Sequence, residues 1–355
     1  MSLPTFGFST TSDEVVDALS STIAGKNVLV TGTSRNGIGF DTARAIAKYA
    51  GLVIITGYNV ERLQLSADGI RKEVPTANIR TLVLNLSSLA AVRKAAEEVN
   101  AYSEPLHVLI HNAADTSGVY AITADDIESQ MAINHFSPFL LTKLLLPKLL
   151  ASTSPNWLPR IVVLAQARSR SEQANFWGRY PEAKAAGVLT ALALAKRGEG
   201  KLRAYSLHPG VIFTNVHTKE AIIPGLKAIG ESSVPVSDEP NLEGTNWKTI
   251  PQGAATTVVA AFDPRLNDKS GSFLDDCVVA NDKRSAVNSD PANAEKLWKL
   301  TEEILGENFV ITVNERKVGK LRTNAKSQRP KDISQVLVIR QDGFNFKFKP
   351  GLGQP

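Results

Sequence analysis

The residues of this chain best placed to hold a ligand are three glycines set between an apolar run and a helical pattern. Thr31-Gly32-Thr33-Ser34-Arg35-Asn36-Gly37-Ile38-Gly39 follows directly on Asn27-Val28-Leu29-Val30, a short β-branched run that reads as a buried parallel strand. From Asp41 onward, Ala43, Ile46, Ala47 and Ala50 recur at helical spacing. A strand that turns sharply into a helix leaves the first helical N–H groups unpaired and aimed at one spot, which suits a phosphate. Gly32 and Gly37 would let the backbone approach a pyrophosphate with no Cβ in the way, and Gly39 would let helix pack close on strand. The expected chemistry is dinucleotide binding; the alternative is a glycine-rich turn without a ligand. Tyr180 and Lys184 form a second pair, a phenol and an ammonium four residues apart on one helix face. Alone, that spacing is common.

Other chemistries find less support. His107 and His111 lie on or beside one strand, His135 on a helix, and His208 and His217 near a later strand, so the five histidines make no metal set. A single cysteine, Cys277, leaves no internal disulfide and no cysteine-rich metal site, and fits a reducing, cytoplasmic setting. No secretory signal is read in the first twelve residues. The most apolar stretch, residues 139–150, is interrupted by Lys143, Pro147 and Lys148, so no membrane span is expected. The net charge of +5 is unevenly spread. Ten basic against three acidic residues from Asn308 onward make the tail +7, leaving −2 for the remainder, so no nucleic-acid-binding core is implied.

The elements that must position these residues alternate. Residues 1–25 form a lead-in whose short helix, through Leu19, Ser12 or Asp13 could cap. Strands are expected at 27–30, 51–56, 80–84, 107–111, 160–165 and 202–207. Helices are expected at 60–72, 89–101 (capped by Ser87 or Ser88), 123–150 and 181–197. This alternation predicts an α/β fold, a doubly wound parallel sheet with helices on both faces, in a single domain over 26–307. Ligands then bind beyond the carboxyl ends of the strands, where Gly32, Tyr58, Asn85, Asn112, Gln166 and Pro209 fall. Residues 216–248 break the rhythm and read as a substrate lid or a surface excursion. A helix at 252–262, a last strand at 272–274 and an amphipathic helix at 293–305 ended by Gly306 follow. Residues 308–355 read as a basic extension: a linker, then at most a weakly held hairpin turning at Gln341-Asp342-Gly343.

Together, Thr31-Gly32…Gly37-Ile38-Gly39, His111-Asn112-Ala113-Ala114, Asn134-His135, Tyr180-Pro181-Glu182-Ala183-Lys184 and His208-Pro209-Gly210…Thr214 resemble the short-chain dehydrogenase/reductase family. The resemblance covers about residues 6 to 307, with the motifs in order. Phe139-Leu140-Leu141-Thr142, Gln252-Gly253-Ala254-Ala255-Thr256 and Leu297-Trp298 are similar to its retinol-dehydrogenase-like branch. It implies a Rossmann fold and hydride transfer between NADP(H) and a ketone, aldehyde or alcohol of a small or lipophilic molecule. It makes Tyr180 the proton donor or acceptor. A free tyrosine has a pKa of about 10, so Lys184 and the cationic oxidised nicotinamide would have to stabilise the phenolate. Lys184 would also hold the nicotinamide ribose, and Asn134 would position a water relaying protons to it. The cofactor-lining set it implies is Gly32, Ser34, Arg35, Asn36, Gly37, Ile38 and Gly39; Tyr58; Asn85 and Leu86; Asn112, Ala113 and Ala114; Tyr180 and Lys184; and Pro209, Gly210, Ile212 and Thr214.

Four departures stand out. Thr33 to Asn36 put four residues where the family has three. His111 and Ala114 replace an asparagine and a glycine, and Asn85 an acid, of the family pattern. The family's serine after strand five is Gln166 here, with Ser169 and Ser171 downstream as substitutes if the loop is shifted. Gln166 could supply part of the lost hydrogen bond. Gly57-Tyr58-Asn59 offers no acid for a ribose 2′-OH, while Arg35 could face a 2′-phosphate, favouring NADP with NAD possible. A homodimer is expected through the long helices 126–150 and 181–197, whose apolar content exceeds what one sheet face needs. The rival reading is a dinucleotide-binding sensor or scaffold that has lost turnover with the serine.

Overall fold

The computed structural model describes residues 2–117, 119–166, 180–212, 214 and 246–311, and the backbone of 339–340 and 343–344. Parallel strands β1 (Asn27–Val30), β2 (Leu52–Gly57), β3 (Ile79–Val83), β4 (Val108–His111), β5 (Arg160–Leu164), β6 (Arg203–His208) and β7 (Phe273–Asp275) are joined by the antiparallel β8 (Val278–Val279). Their spatial order is β3-β2-β1-β4-β5-β6-β7-β8. Val30 pairs with Ile55 on one side and Ile110 on the other, so strand order reverses at β1 and β4, where a crevice opens at the carboxyl edge. β1, β4 and β5 are buried throughout, which is why they read as unbroken apolar runs rather than alternating ones.

The principal helices are α1 (Ser12–Ala18), α2 (Ile38–Ile46), α3 (Val60–Glu73), α4 (Leu89–Ala101), α5 (Ser137–Leu150), α6 (Tyr180–Arg197), α7 (Ile250–Phe262) and α8 (Pro291–Leu305). α1, α2, α3 and α7 build the core on one face of the sheet, and α4, α5, α6 and α8 the core on the other. The lead-in is part of the first: Phe6, Val15, Val16, Leu19 and Ile23 are buried there. Its cap is Thr11, which forms a capping box with Glu14, and not Ser12 or Asp13. Those two bridge α1 to α2 instead: Ser12 donates to Asp41 Oδ2 at 2.6 Å, and Arg44 spans Asp13 and Asp41.

The helix expected over 123–150 starts later. The Thr123 hydroxyl accepts from the N–H groups of Asp125 and Ile127, and Asp126 is left-handed at φ 59°. Such local side-chain bonds offer the backbone an alternative to helix. A short turn at Ser129–Met131, capped by the Glu128 carboxylate, leads into a π-turn at Ala132–Phe136 and only then into α5. α8 also starts two residues before the expected Asn293, at Pro291 behind an Asp290 cap, and ends at left-handed Gly306.

α8 packs across both α5 and α6. Trp298 of α8 meets Phe139 of α5 at 4.7 Å between ring centroids and lies under Arg197 of α6. The packed core reaches beyond 307, because Phe309 meets Phe139 edge-on and lies tilted against Trp298, and Ile311 is buried. Glu307 pairs with Arg93 and Lys143, pinning this segment to α4 and α5. Ile339–Arg340 pairs antiparallel with Gly343–Phe344, while Gln341 and Asp342 of the expected hairpin turn lie outside the described residues. Most of the expected lid, 215–245, and Ser169 and Ser171 lie outside the described residues; from the lid's end, Trp247–Lys248 pairs parallel with Val211–Ile212. Among the described residues no helix is long and apolar enough to cross a membrane.

Candidate active site

At the glycine turn, Gly32 takes the left-handed φ of 71° that favours glycine. A Cβ there would stand 2.7 Å from Ala113. The room left by its missing side chain is therefore filled by the β4 loop, not open to a ligand as expected. The fourth residue between the glycine blocks is absorbed by Asn36, left-handed at φ 59°, a conformation asparagine tolerates better than most residues. Thr33 donates from both N–H and hydroxyl to Thr56 O, tying the turn to β2. Gly37 is the N-cap of α2, with no side-chain cap on the first amides. Those amides, set at the crevice, suit a pyrophosphate. A Cβ on Gly39 would stand 2.3 Å from Asn112 Nδ2 and 2.4 Å from Gly32 O, so α2 can seat on the strand ends only as glycine there.

Asn112 staples β4 to β1. Its Nδ2 donates to Thr31 O and Gly32 O at 2.9 and 2.8 Å, while Thr31 Oγ1 accepts from the N–H of Asn112 and Ala113. Asn85 closes its own turn, accepting from Ser87, and Leu86 is buried with its carbonyl on Ser137. Tyr58 stands 71% exposed past β2. Arg35 is exposed, its Nε 3.7 Å from where a Cβ on Gly69 of α3 would be. Beyond β6, Pro209 and left-handed Gly210 lead to Ile212, which packs on Gly253, close by Ile38. Thr214 is half-buried beside them in sequence.

The titratable half lies at the ends of β4 and β5. Tyr180 opens α6, and Lys184, one turn on and 6% exposed, donates from Nζ to Leu164 O, the last carbonyl of β5, at 3.0 Å. Lys184 Nζ lies 5.6 Å from the Tyr180 ring centroid. Burial pushes the Tyr180 phenol up to about 12 and the Lys184 ammonium down to about 8. Burial by itself thus moves the phenol away from ionisation; the expected stabilisation of the phenolate belongs to Lys184 and the oxidised nicotinamide together. Gln166 sits half-buried two residues past Leu164.

Asn134 lies in the π-turn, a geometry common at functional sites. Its side chain accepts from Asp115 N at 3.1 Å and donates to Asp115 O at 3.0 Å. Both ends of the amide thus hold the loop after β4, and each keeps one further hydrogen-bonding capacity. Sequence reasoning missed Thr31, Thr56 and Asp115 as the anchors of these loops. Thr31, the residue between strand and glycine, carried a signal; the partners of Thr56 and Asp115 are distant in sequence. It also missed Lys248, whose side chain is fully buried against Gly210 and ion-paired at 2.6 Å with Asp276. Among the described residues no cluster of three metal-ligating side chains occurs.

Comparison with known proteins adds to this geometry. Residues 26–222 match the short chain dehydrogenase family. The short-chain dehydrogenase TIC 32 A of Brassica napus chloroplasts is 33% identical over 292 residues, 77% of this chain and 86% of that protein. Human retinol dehydrogenase 12 is 31% identical over 296 residues, 80% of this chain and 87% of that one. An uncharacterised protein of Mycobacterium paratuberculosis superposes with a TM-score of 0.57 at 25% identity, over 81% of this chain and 96% of its own. An Escherichia coli protein described as a short chain dehydrogenase, complexed with NADPH, shares the fold at a TM-score of 0.56 and 24% identity, over 72% and 98%.

Proposed function

Since this chain belongs to the short chain dehydrogenase family and to its retinol-dehydrogenase-like branch, and is an oxidoreductase of that kind, we propose that it moves a hydride between NADP(H) and a carbonyl or alcohol carbon. The substrate is a small or lipophilic molecule, and Tyr180 is its proton donor and acceptor. One observation carries the reading: Tyr180 and Lys184 stand one turn apart at the carboxyl edge, with the ammonium anchored to the end of β5. The name of the retinol dehydrogenase relative supports an alcohol or carbonyl substrate.

The nicotinamide would supply or accept the hydride. The amides at the start of α2 would hold its pyrophosphate, and Arg35, beside α3, would meet a 2′-phosphate where Tyr58 offers no competing acid. The Tyr180 phenol carries its proton near neutrality and would give it to the carbonyl oxygen as the hydride reaches the carbonyl carbon. The opposite direction needs a phenolate, and the Lys184 ammonium is the positive charge this chain brings to it. Gln166 would offer an amide donor to the reacting oxygen in place of the family serine; one such donor is worth ~3 kcal/mol in a transition state.

The test is NADPH oxidation by the purified protein across a panel of ketones and aldehydes, run beside a cofactor-binding titration. Turnover of at least one carbonyl, with NADPH bound more tightly than NADH, is expected. Tight binding without turnover of any substrate would overturn the proposal.

A further inference from the structure

His111, the last residue of β4, occupies the position of a family asparagine and is 5% exposed. It pairs in register with Val163 of β5, which packs against Gly187 of α6, so the imidazole faces the α5–α6 side of the sheet. His111 Nε2 lies 2.7 Å from Thr142 Oγ1 of α5. That hydroxyl gives its own proton to Pro138 O at 2.8 Å, so Nε2 carries the ring hydrogen and donates. Nδ1 is then a bare lone pair, enclosed and with no hydrogen-bond partner among the described residues. Buried acceptors are rarely left so.

On the same side, Lys184 spends one of its three N–H donors on Leu164 O, the carbonyl next along β5 from Val163. Of the charged groups among the described residues, Lys184 is the one that acts on His111, and with burial it holds the ring neutral, its pKa down at about 3. The neighbouring titratable group is Tyr180; the other contacts, Thr142, Pro138, Val163 and Leu164, carry no charge. An ammonium with two donors unengaged among the described residues and an unmet acceptor at adjoining strand ends are the ordinary setting of an enclosed bridging water.

We infer that His111 Nδ1 accepts a hydrogen bond from a water enclosed between it and Lys184, making His111 a positioning residue that keeps the ammonium charged and seated at the end of β5. The inference rests on the reading of Lys184 as the partner of Tyr180. It gives the departure from the family asparagine a purpose: imidazole offers an acceptor whose tautomer Thr142 dictates.

The experiment follows Lys184 itself, by NMR titration of its side-chain carbon resonance in the full chain, identified by its loss in Lys184→Arg. His111→Leu should move the midpoint down from about 8 by about one pH unit, and His111→Gln, which keeps an acceptor, should restore most of it. The alkaline limb of kcat/KM should move down with the midpoint, because turnover falls as pH rises through the lysine pKa. An unchanged midpoint in folded His111→Leu overturns the inference. Should that variant fail to fold, the ring-nitrogen spectrum of the parent decides. A hydrogen-bonded Nδ1 acceptor supports the water, and a bare one overturns it. If no carbonyl is turned over yet the midpoint still follows His111, the proposed function fails and the coupling stands.

Discussion

The two halves of the carboxyl edge are held by different physics. The nucleotide half, at the ends of β1, β2 and β4, is stapled by neutral, short-range bonds among Thr31, Thr33, Thr56 and Asn112, and by glycines that leave no space for a Cβ. The proton half, at β4, β5 and the head of α6, is made of titratable groups, buried His111 and Lys184 and half-buried Tyr180, each shifted by desolvation. The first half holds its shape across pH. The second is where pH, desolvation and bound charge act, because a low-dielectric site magnifies each of them.

The largest effect that would sharpen this contrast belongs to Tyr180→Phe. Removing only the phenolic oxygen should lower kcat/KM by about 10²–10⁴-fold and leave NADPH affinity, by titration calorimetry, nearly intact. Turnover near the parent level would break the division of labour. Gly39→Val comes next. Its Cβ would collide with Asn112 Nδ2 and Gly32 O, so urea unfolding should show a loss of ~2–3 kcal/mol, with cofactor affinity falling alongside. A variant as stable as the parent would mean that α2 is not seated as described.

Asn112→Ala removes two hydrogen bonds to the Thr31 and Gly32 carbonyls of the glycine turn and should cost ~1–3 kcal/mol, by the same amount at pH 5 and pH 8. A cost that varies with pH would blur the distinction between the halves. The proton half should answer acid. His111, and outside that half His135 against Thr301 of α8, are held neutral by burial, at about 3 and about 4 against 6.5. The unfolded chain therefore binds more protons below about pH 6.5, and stability falls as pH falls through that range, by on the order of 1–2 kcal/mol for each ring at pH 5. His111→Asn should flatten the slope of Tm against pH between 7 and 5; an unchanged slope would remove His111 from the account. The smallest effect is Arg35→Ala, expected to weaken NADPH by ~1 kcal/mol and leave NADH unchanged, since the group is exposed and screened. Equal weakening of both would end its assignment to a 2′-phosphate.

The same contrast explains what was legible beforehand. The strands β1, β4 and β5, the helix after the glycine turn and the Tyr180–Lys184 pair could be read from spacing, because burial on both faces and a shared helix face leave periodic traces. The start of the helix before α5 could not. Thr123 through Glu128 carry helical spacing, but the Thr123 hydroxyl and the Glu128 carboxylate take the N–H groups a helix would need. The core limits were misjudged for a related reason. Val15, Val16 and Leu19 near the start, and Phe309 and Ile311 near the end, look like flanking segments until α7, α5 and α8 are in place to receive them.

What the sequence by itself determined is the order of elements, the carboxyl-edge location of the site and the identity of its chemical groups, because these follow from local periodicity and residue type. Only the tertiary structure decided how those groups are used. It turned Gly32 into a seat for Ala113, tied both ends of the Asn134 amide to Asp115, and set the Tyr180 phenol above its ordinary range by burial. It packed α5 and α6 against the chain's own α8 and Phe309. Each of these outcomes depends on which distant atoms arrive within a few ångströms, and a desolvation cost exists only once they do.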